Sequence, residues 1–169
     1  MPASQLITSR LVLRPFISDD LQPLFSILQE PEIFKYFPIT AAPSLIKVER
    51  IINDQLKQYE KYGFGQWAVE EKGKVDLLGW CGLNYLPDTD EYEVAYLLKT
   101  SARGRGYATE GAQASLEYGF NTVGLKRIIA LVHPDNIASR RVAEKIGMTL
   151  LDQKFYWGME CLRFVKTKE

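Results

Sequence analysis

The stretch Arg103-Gly104-Arg105-Gly106-Tyr107-Ala108-Thr109 gathers the residue types that hold a phosphate. It joins a strand-like apolar run, Val94 to Leu98, to an amphipathic helix-like run, Tyr107 to Phe120. Two glycines let the backbone turn tightly and approach a ligand closely. A helix beginning there aims its unpaired N–H groups and positive dipole end at the space in front of it. With two arginines flanking the turn, the segment is suited to a phosphorylated ligand, a pyrophosphate above all. A Walker loop requires Lys-Ser or Lys-Thr after its last glycine, and none follows Gly106. A dinucleotide fingerprint requires Gly-x-Gly-x-x-Gly after the first strand, and Gly104, Gly106 and Ala108 do not have that spacing. The pattern that fits is Arg-x-x-Gly-x-Ala, at Arg103, Gly106 and Ala108.

The surrounding elements must position this loop. Leu11-Val12-Leu13 reads as a strand, and Ser18 as the cap of a helix through Leu28 that Pro31 ends. Leu45 to Tyr59 carries a second helical stripe. Three consecutive strands follow: Gln66 to Val69, Leu77 to Leu86 with a bulge at Gly79 or Gly82, and Tyr92 to Leu98. In the helix after the loop, Ala108, Ala112, Leu116 and Phe120 form an apolar stripe beside a ridge of small residues, Gly111, Ser115 and Gly119, which predicts close packing on the sheet. Ile128 to Val132 is a strand covered on both faces. Asp135 or Asn136 caps a fourth helix through Ile146, and Thr149 to Val165 is a hairpin turning near Trp157-Gly158. This order predicts a mixed α/β sheet with helices on both faces.

The 169 residues predict one domain, with 46% hydrophobic and 25% charged residues and zero formal net charge. No basic excess favours nucleic acid. No apolar run reaches membrane-spanning length, and Met1 to Gln5 lacks the pattern of a signal peptide, so a cytoplasmic setting is expected. Two distant cysteines, Cys81 and Cys161, and a single histidine, His133, make neither a disulfide framework nor a metal site. His133 reads as a polar residue closing a strand.

Four ordered segments resemble one family. Leu6 to Arg14 is similar to the Thr-x-Arg-Leu-x-Leu-Arg opening of the RimJ/RimL-like branch of the GNAT (Gcn5-related) N-acetyltransferases. Glu93 to Leu98 resembles that branch's Glu-Ile-Gly-Tyr-Trp-Leu strand, with Ala95 at the glycine position. Arg103 to Glu110 resembles its Trp-Gly-Lys-Gly-Tyr-Ala-Thr-Glu loop. Asn136 to Ser139 and Glu144 to Met148 resemble its Asn-x-x-Ser and Glu-Lys-x-Gly-Phe segments. The resemblance spans nearly the whole chain.

It implies a single N-acetyltransferase domain over residues 1–169. The expected fold is a mixed, mostly antiparallel sheet of six or seven strands that splays into a V after its fourth strand. Acetyl-CoA would lie in the gap as co-substrate, with no metal. Its pantetheine would run along Glu93 to Leu98 like an added strand, pairing near Leu97 and Leu98. Its pyrophosphate would meet Arg103, Gly104, Arg105, Gly106, Tyr107, Ala108 and Thr109, and Asn136 and Ser139 would face the thioester end. The partner is a primary amine, a protein N-terminus (as on ribosomal proteins) or a small molecule, taken directly in a ternary complex by a monomer or homodimer.

Attack of an amine on a thioester needs a base, a donor for the oxyanion and modest help for the thiolate. Glu93 is the candidate base, read equally well as an outer-face carboxylate. Asn136 reads as ligand contact, helix cap or both. Many GNAT enzymes place a tyrosine seven residues after that asparagine, but here the position is Ala143, which leaves Ser139 as the hydroxyl near the sulfur. Phe34, Tyr36 and Phe37 read as an acceptor-pocket wall or as a satellite core. Two rival classes remain: a non-catalytic acyl-CoA-binding module, which the missing tyrosine favours, and a nucleotide enzyme using the same loop.

Overall fold

The alternation of apolar residues becomes an eight-stranded sheet in the computed structural model, which describes residues 4–169. The leader reading at Met1 to Ala3 lies outside the described residues. The strands are β1 (Leu6–Ile7), β2 (Leu11–Arg14), β3 (Gln66–Glu71), β4 (Leu77–Leu86), β5 (Glu91–Leu98), β6 (Arg127–Val132), β7 (Thr149–Tyr156) and β8 (Met159–Thr167). The helices are α1 (Leu21–Leu28), α2 (Leu45–Tyr62), α3 (Tyr107–Tyr118) and α4 (Ile137–Lys145). Sheet order is β1-β2-β3-β4-β5-β6-β8-β7, antiparallel except between β5 and β6. The sheet exceeds the expected six or seven strands by β1, two residues too short to show alternation. Counted without it, β5 is the fourth strand.

Helices cover both faces. Leu24, Ile27 and Leu28 of α1 and Val48 and Ile52 of α2 pack with Ala68 and Leu97 of the sheet. Ala112 and Leu116 of α3 and Ala143 of α4 pack with Cys81, Leu83 and Ile128 on the other face. The small-residue ridge of α3 lies against the sheet: a Cβ on Gly111 would come within 3.1 Å of Cys81 Sγ, and one on Gly119 within 2.8 Å of Ile128 Cδ1. The helix can therefore sit close to β4 and fix the loop at its N-terminus.

Two local details depart from the expectation. Ser18 caps nothing; residues Ser18–Asp20 form a 3-10 turn in which Asp20 Oδ2 accepts from Ile17 N at 2.8 Å. The β4 bulge falls beside Gly79 rather than on it, because pairing jumps from Val69↔Gly79 to Glu70↔Leu77 and leaves Leu78 as the extra residue. Gly79 itself has φ 145°, and a Cβ there would lie 2.0 Å from Leu97 O, so no other residue fits.

Buried Asp20 receives both guanidinium nitrogens of Arg14 at 2.8 Å, and Arg14 also reaches Glu70 at 2.8 Å. This bridge ties the turn before α1 to β2 and β3. Removing its cation leaves a buried carboxylate unpaired, so Arg14→Met is expected to cost about 3 kcal/mol in urea unfolding.

Candidate functional site

β5 meets β6 through a single register pair, Glu93↔Ile129. Beyond it, Val94 to Leu98 keep β4 on one side and, among the described residues, have no strand on the other. Two adjoining cavities open at this split, and both are lined by Tyr36, Phe37, Tyr96, Asn136, Ser139 and Val142.

The first, about 630 Å³, runs past Leu97 and Leu98 to the loop before α3. Lys35, Arg103, Arg141 and Lys145 line it against one carboxylate, Glu32. Gly104, Gly106, Tyr107, Ala108 and Thr109 form its end. Gly104 and Gly106 have φ 76° and 81°, which only glycine adopts readily, and the turn they make starts α3. Among the described residues, no protein group accepts from the amides between Gly104 and Thr109; the first bond of the helix is Glu110 N to Gly106 O, 3.0 Å. Free amides at a helix N-terminus with a basic wall are the donor set for a polyphosphate. The residues present therefore fit a coenzyme A diphosphate. Arg103 also donates from Nε to Leu98 O at 3.1 Å. Arg105 stands outside the groove: its carbonyl accepts from Arg10 Nη1 at 2.8 Å, and its guanidinium lies 6.0 Å from the Tyr107 ring centre.

The Leu6 to Arg14 motif acts here without touching the groove. Glu110 accepts from Thr8 Oγ1 at 2.6 Å and from Arg10 N and Nε at 2.7 Å each. Arg10 also lies 4.6 Å over the Tyr107 ring. These contacts clamp the first turn of α3 and the loop before it onto the turn between β1 and β2.

The second cavity, about 500 Å³, runs from the α1/α2 face of the sheet at Phe16, Ile51 and Trp80 through the split to Val142, Ala143 and Ile146 at α4. Glu93 lines it, buried, with Asn84 Nδ2 donating to its Oε1 at 3.0 Å. Burial pushes the Glu93 carboxyl up to about 7; the Asn84 hydrogen bond opposes this and the nearby Glu91 adds to it. Glu91, two residues earlier, is also desolvated but is held below the usual carboxylate range by Tyr156 (2.7 Å) and Arg163 (2.9 Å). Two carboxyls on one strand are thus set apart, one paired and ionised, the other poised to exchange a proton near neutrality.

Asn136 caps α4, its Oδ1 accepting from Ser139 N at 3.1 Å. Ser139 Oγ lies 2.8 Å from the hydroxyl of Tyr96. Sequence reasoning passed over Tyr96 as one more strand residue, yet the period of two puts it opposite in sense to Glu93, toward α4. Burial raises its hydroxyl to about 12 despite the bond to Ser139, so it stays protonated. Arg141 and Lys145 were missed as well; their four-residue spacing on α4 was the available signal.

Of the aromatics, Tyr36 and Phe37 line both cavities while Phe34 packs in the α1/α2 core. His133 closes β6, Nδ1 accepting from Asp135 N at 3.1 Å, with its ring 5.3 Å from that of Tyr36. Both thiols are buried, and burial pushes Cys81 to about 12 and Cys161 upward too, so neither forms a thiolate readily. Among the described residues there is no cluster of metal-ligating side chains, and no helix is long and apolar enough to cross a membrane.

Comparison with known proteins agrees with this architecture. Residues 10–149 match the model of the acetyltransferase (GNAT) domain. The chain is 31% identical over 146 residues to the uncharacterized N-acetyltransferase YnaD of Bacillus subtilis, covering 85% of this chain and 81% of that one. An acetyltransferase structure from Agrobacterium tumefaciens superposes with a TM-score of 0.85 at 26% identity, covering 99% of this chain and 96% of the other. The fold also matches spermidine N-acetyltransferase from Vibrio cholerae in complex with CoA and spermine, at TM-score 0.78 and 21% identity over 95% and 96% of the two chains. A strand that parts from its neighbour beside a glycine-turned helix start, a family model over most of the length and acetyltransferase relatives agree: the chain belongs to the GNAT family and is an N-acetyltransferase.

Proposed function

We propose that the chain moves the acetyl group of acetyl-CoA directly to a primary amine, in the manner of the RimJ/RimL-like branch. The observation that carries this is the split at Glu93: a basic groove with free amides reaches it, and so does an adjoining cavity holding a carboxyl poised near neutrality. Arg103, Arg141 and Lys145 with the amides of Gly104 to Thr109 would hold the phosphates, the open edge at Leu97 and Leu98 the pantetheine, and the Asn136 amide, its oxygen already used in the cap, would donate to the arm near the thioester. Arg105 would add only its charge at the loop's outer side. Bound acetyl-CoA supplies an acyl group activated as a thioester.

This chain's residues then perform the transfer. Glu93, as carboxylate, takes the proton of the attacking nitrogen, directly or through a water. A backbone N–H of the unpaired β5 edge near Leu97 or Leu98 donates to the carbonyl oxygen as it gains charge. The C–N bond forms and the C–S bond breaks. Tyr96, accepting from the Ser139 hydroxyl, donates a hydrogen bond toward the departing sulfur, whose thiol pKa of about 8.5 makes full protonation unnecessary. The proton held by Glu93 is the one the thiolate finally takes. The pair Tyr96–Ser139 thus stands where the family's helix tyrosine is missing at Ala143.

The test is calorimetric binding of acetyl-CoA together with thiol release across a panel of amines. Binding with turnover supports the reading; binding with no turnover on any amine would leave an acyl-CoA-binding module. In the same assay, Tyr96→Phe is expected to lower kcat by about tenfold with acetyl-CoA affinity unchanged, in line with loss of one charge-assisted hydrogen bond worth roughly 1.5 kcal/mol. Arg10→Ala, which removes the clamp without touching the groove, is expected to weaken acetyl-CoA binding about tenfold, roughly 1.4 kcal/mol.

A further inference from the structure

We infer that the cavity holding Glu93 selects a small primary amine with an apolar, ring-sized body and one hydrogen-bonding group remote from the nitrogen, and that Gln66 reads that group. The inference rests on the acetyl-transfer reading above and names its acceptor class.

Three observations lead to it. The wall is aromatic, with Phe16, Tyr36, Phe37, Trp80 and Trp157 among its residues. Among the described residues Glu93 is its only carboxyl, and no lysine or arginine lines it. The Gln66 side chain lines the same cavity, is 5% exposed, and neither Nε2 nor Oε1 has a partner among the described residues. A buried amide with both groups unpaired carries a desolvation cost that a bound partner would remove. The backbone of Gln66 is already engaged, its N–H with Gln55 Oε1 and its carbonyl with Tyr59 OH, so only the side chain is available.

Sheet register sets that amide on the same face of the sheet as Glu93. Gln66 pairs with Gly82 and Gly82 with Ala95, one ladder across three strands, while Glu93 shares the face of Ala95. Two inter-strand spacings put the Gln66 and Ala95 backbones about 10 Å apart. The place of a Cβ on Gly82 is taken by the Gly65 carbonyl, which lets β3 lie close to β4, and the single methyl of Ala95 is the part of this ladder that leaves a floor for a flat body. Once the Glu93 and Gln66 side chains reach inward, one ring and a short chain fill the interval.

The same wall disfavours the other acceptor classes. A polyamine would bring further ammonium groups that find no second carboxyl. An amino acid's carboxylate would find no cation, and a peptide's amides would be buried against apolar rings without partners.

The experiment uses the full chain and four probes: 4-hydroxyphenethylamine, phenethylamine, spermidine and an N-terminal hexapeptide. The hydroxylated arylalkylamine is expected to exceed spermidine and the peptide in kcat/KM by about tenfold or more. Gln66→Leu should lower its kcat/KM about tenfold through KM, bringing it to the level of phenethylamine, whose own value stays unchanged. Acetyl-CoA affinity should be unaffected and the melting temperature should not fall, since the replaced amide holds nothing in the fold. Preference for spermidine or the peptide overturns the proposal, as does a Gln66→Leu variant that treats both arylalkylamines alike. If no amine turns over, the acetyl-transfer reading fails by itself, and tryptophan fluorescence decides the cavity, because Trp80 and Trp157 line it. Saturable quenching by 4-hydroxyphenethylamine that weakens tenfold in Gln66→Leu sustains the class; no saturable quenching overturns it.

Discussion

Glu93→Gln is expected to lower kcat/KM by about 10²–10³, the range for loss of a positioned base. The amide keeps the shape, and its carbonyl can still accept from Asn84, so acetyl-CoA affinity should not change. The pH profile gives the sharper reading. A carboxyl raised to about 7 is active only when ionised, so the wild-type rate should fall as pH drops through about 7, and the variant should lack that limb. Stability should move the opposite way. The folded pKa lies above the ordinary value of 4.5, so the native state binds more protons than the unfolded chain between the two. Wild-type stability therefore declines as pH rises from about 4.5 to about 7, and the neutral amide escapes this loss. Above pH 7 the variant should be more stable, by on the order of 3 kcal/mol for a shift of this size. Urea unfolding at pH 5 and pH 8 measures it; equal stability of the two proteins at both pH values would show that Glu93 is not held neutral by burial.

Gly106→Val should reduce acetyl-CoA affinity by about 100-fold or more, a loss of roughly 2.8 kcal/mol. Gly106 has φ 81° as the residue preceding α3, and a β-branched side chain does not tolerate that conformation. Even its Cβ would lie 3.3 Å from Arg10 Nη2, in the clamp on the loop. The turn must change, and with it the direction of the free amides. Gly104→Ala is the informative companion: nothing lies within 4 Å of a Cβ there, so any loss reports the φ of 76° alone and should be smaller. Isothermal titration calorimetry separates the two.

Much of this was legible in the residues. The stripe and ridge of α3, the hairpin turning at Trp157-Gly158 and the loop at Arg103 to Thr109 follow from local periodicity and turn chemistry, and each stands where its pattern puts it. The site was legible only in part. Glu93 could be named from its strand, but its neutral poise depends on burial between β4 and β6, which no local pattern records. Tyr96 meets Ser139 across 43 positions of sequence, a contact made by the packing of α4 on the sheet. Gln66 looked like an ordinary first residue of a strand; that its side-chain amide ends buried and unpartnered at the Glu93 cavity follows from packing between distant segments. Thr8 and Arg10 were recognised as a motif, yet their partner Glu110 lies 100 residues from Arg10. What sequence withheld in each case was a long-range pairing.

The single rung at Glu93↔Ile129 bears on how the molecule breathes. One leaf, β1 to β5, and the other, β6 to β8, share almost no cross-strand amide bonding, so their mutual rigidity comes from side chains and from whatever fills the fork. Amides of Val94 to Leu98 that face the fork should exchange with deuterium quickly in the empty protein and slowly once an occupant bridges the leaves, making the bound molecule a temporary part of the scaffold.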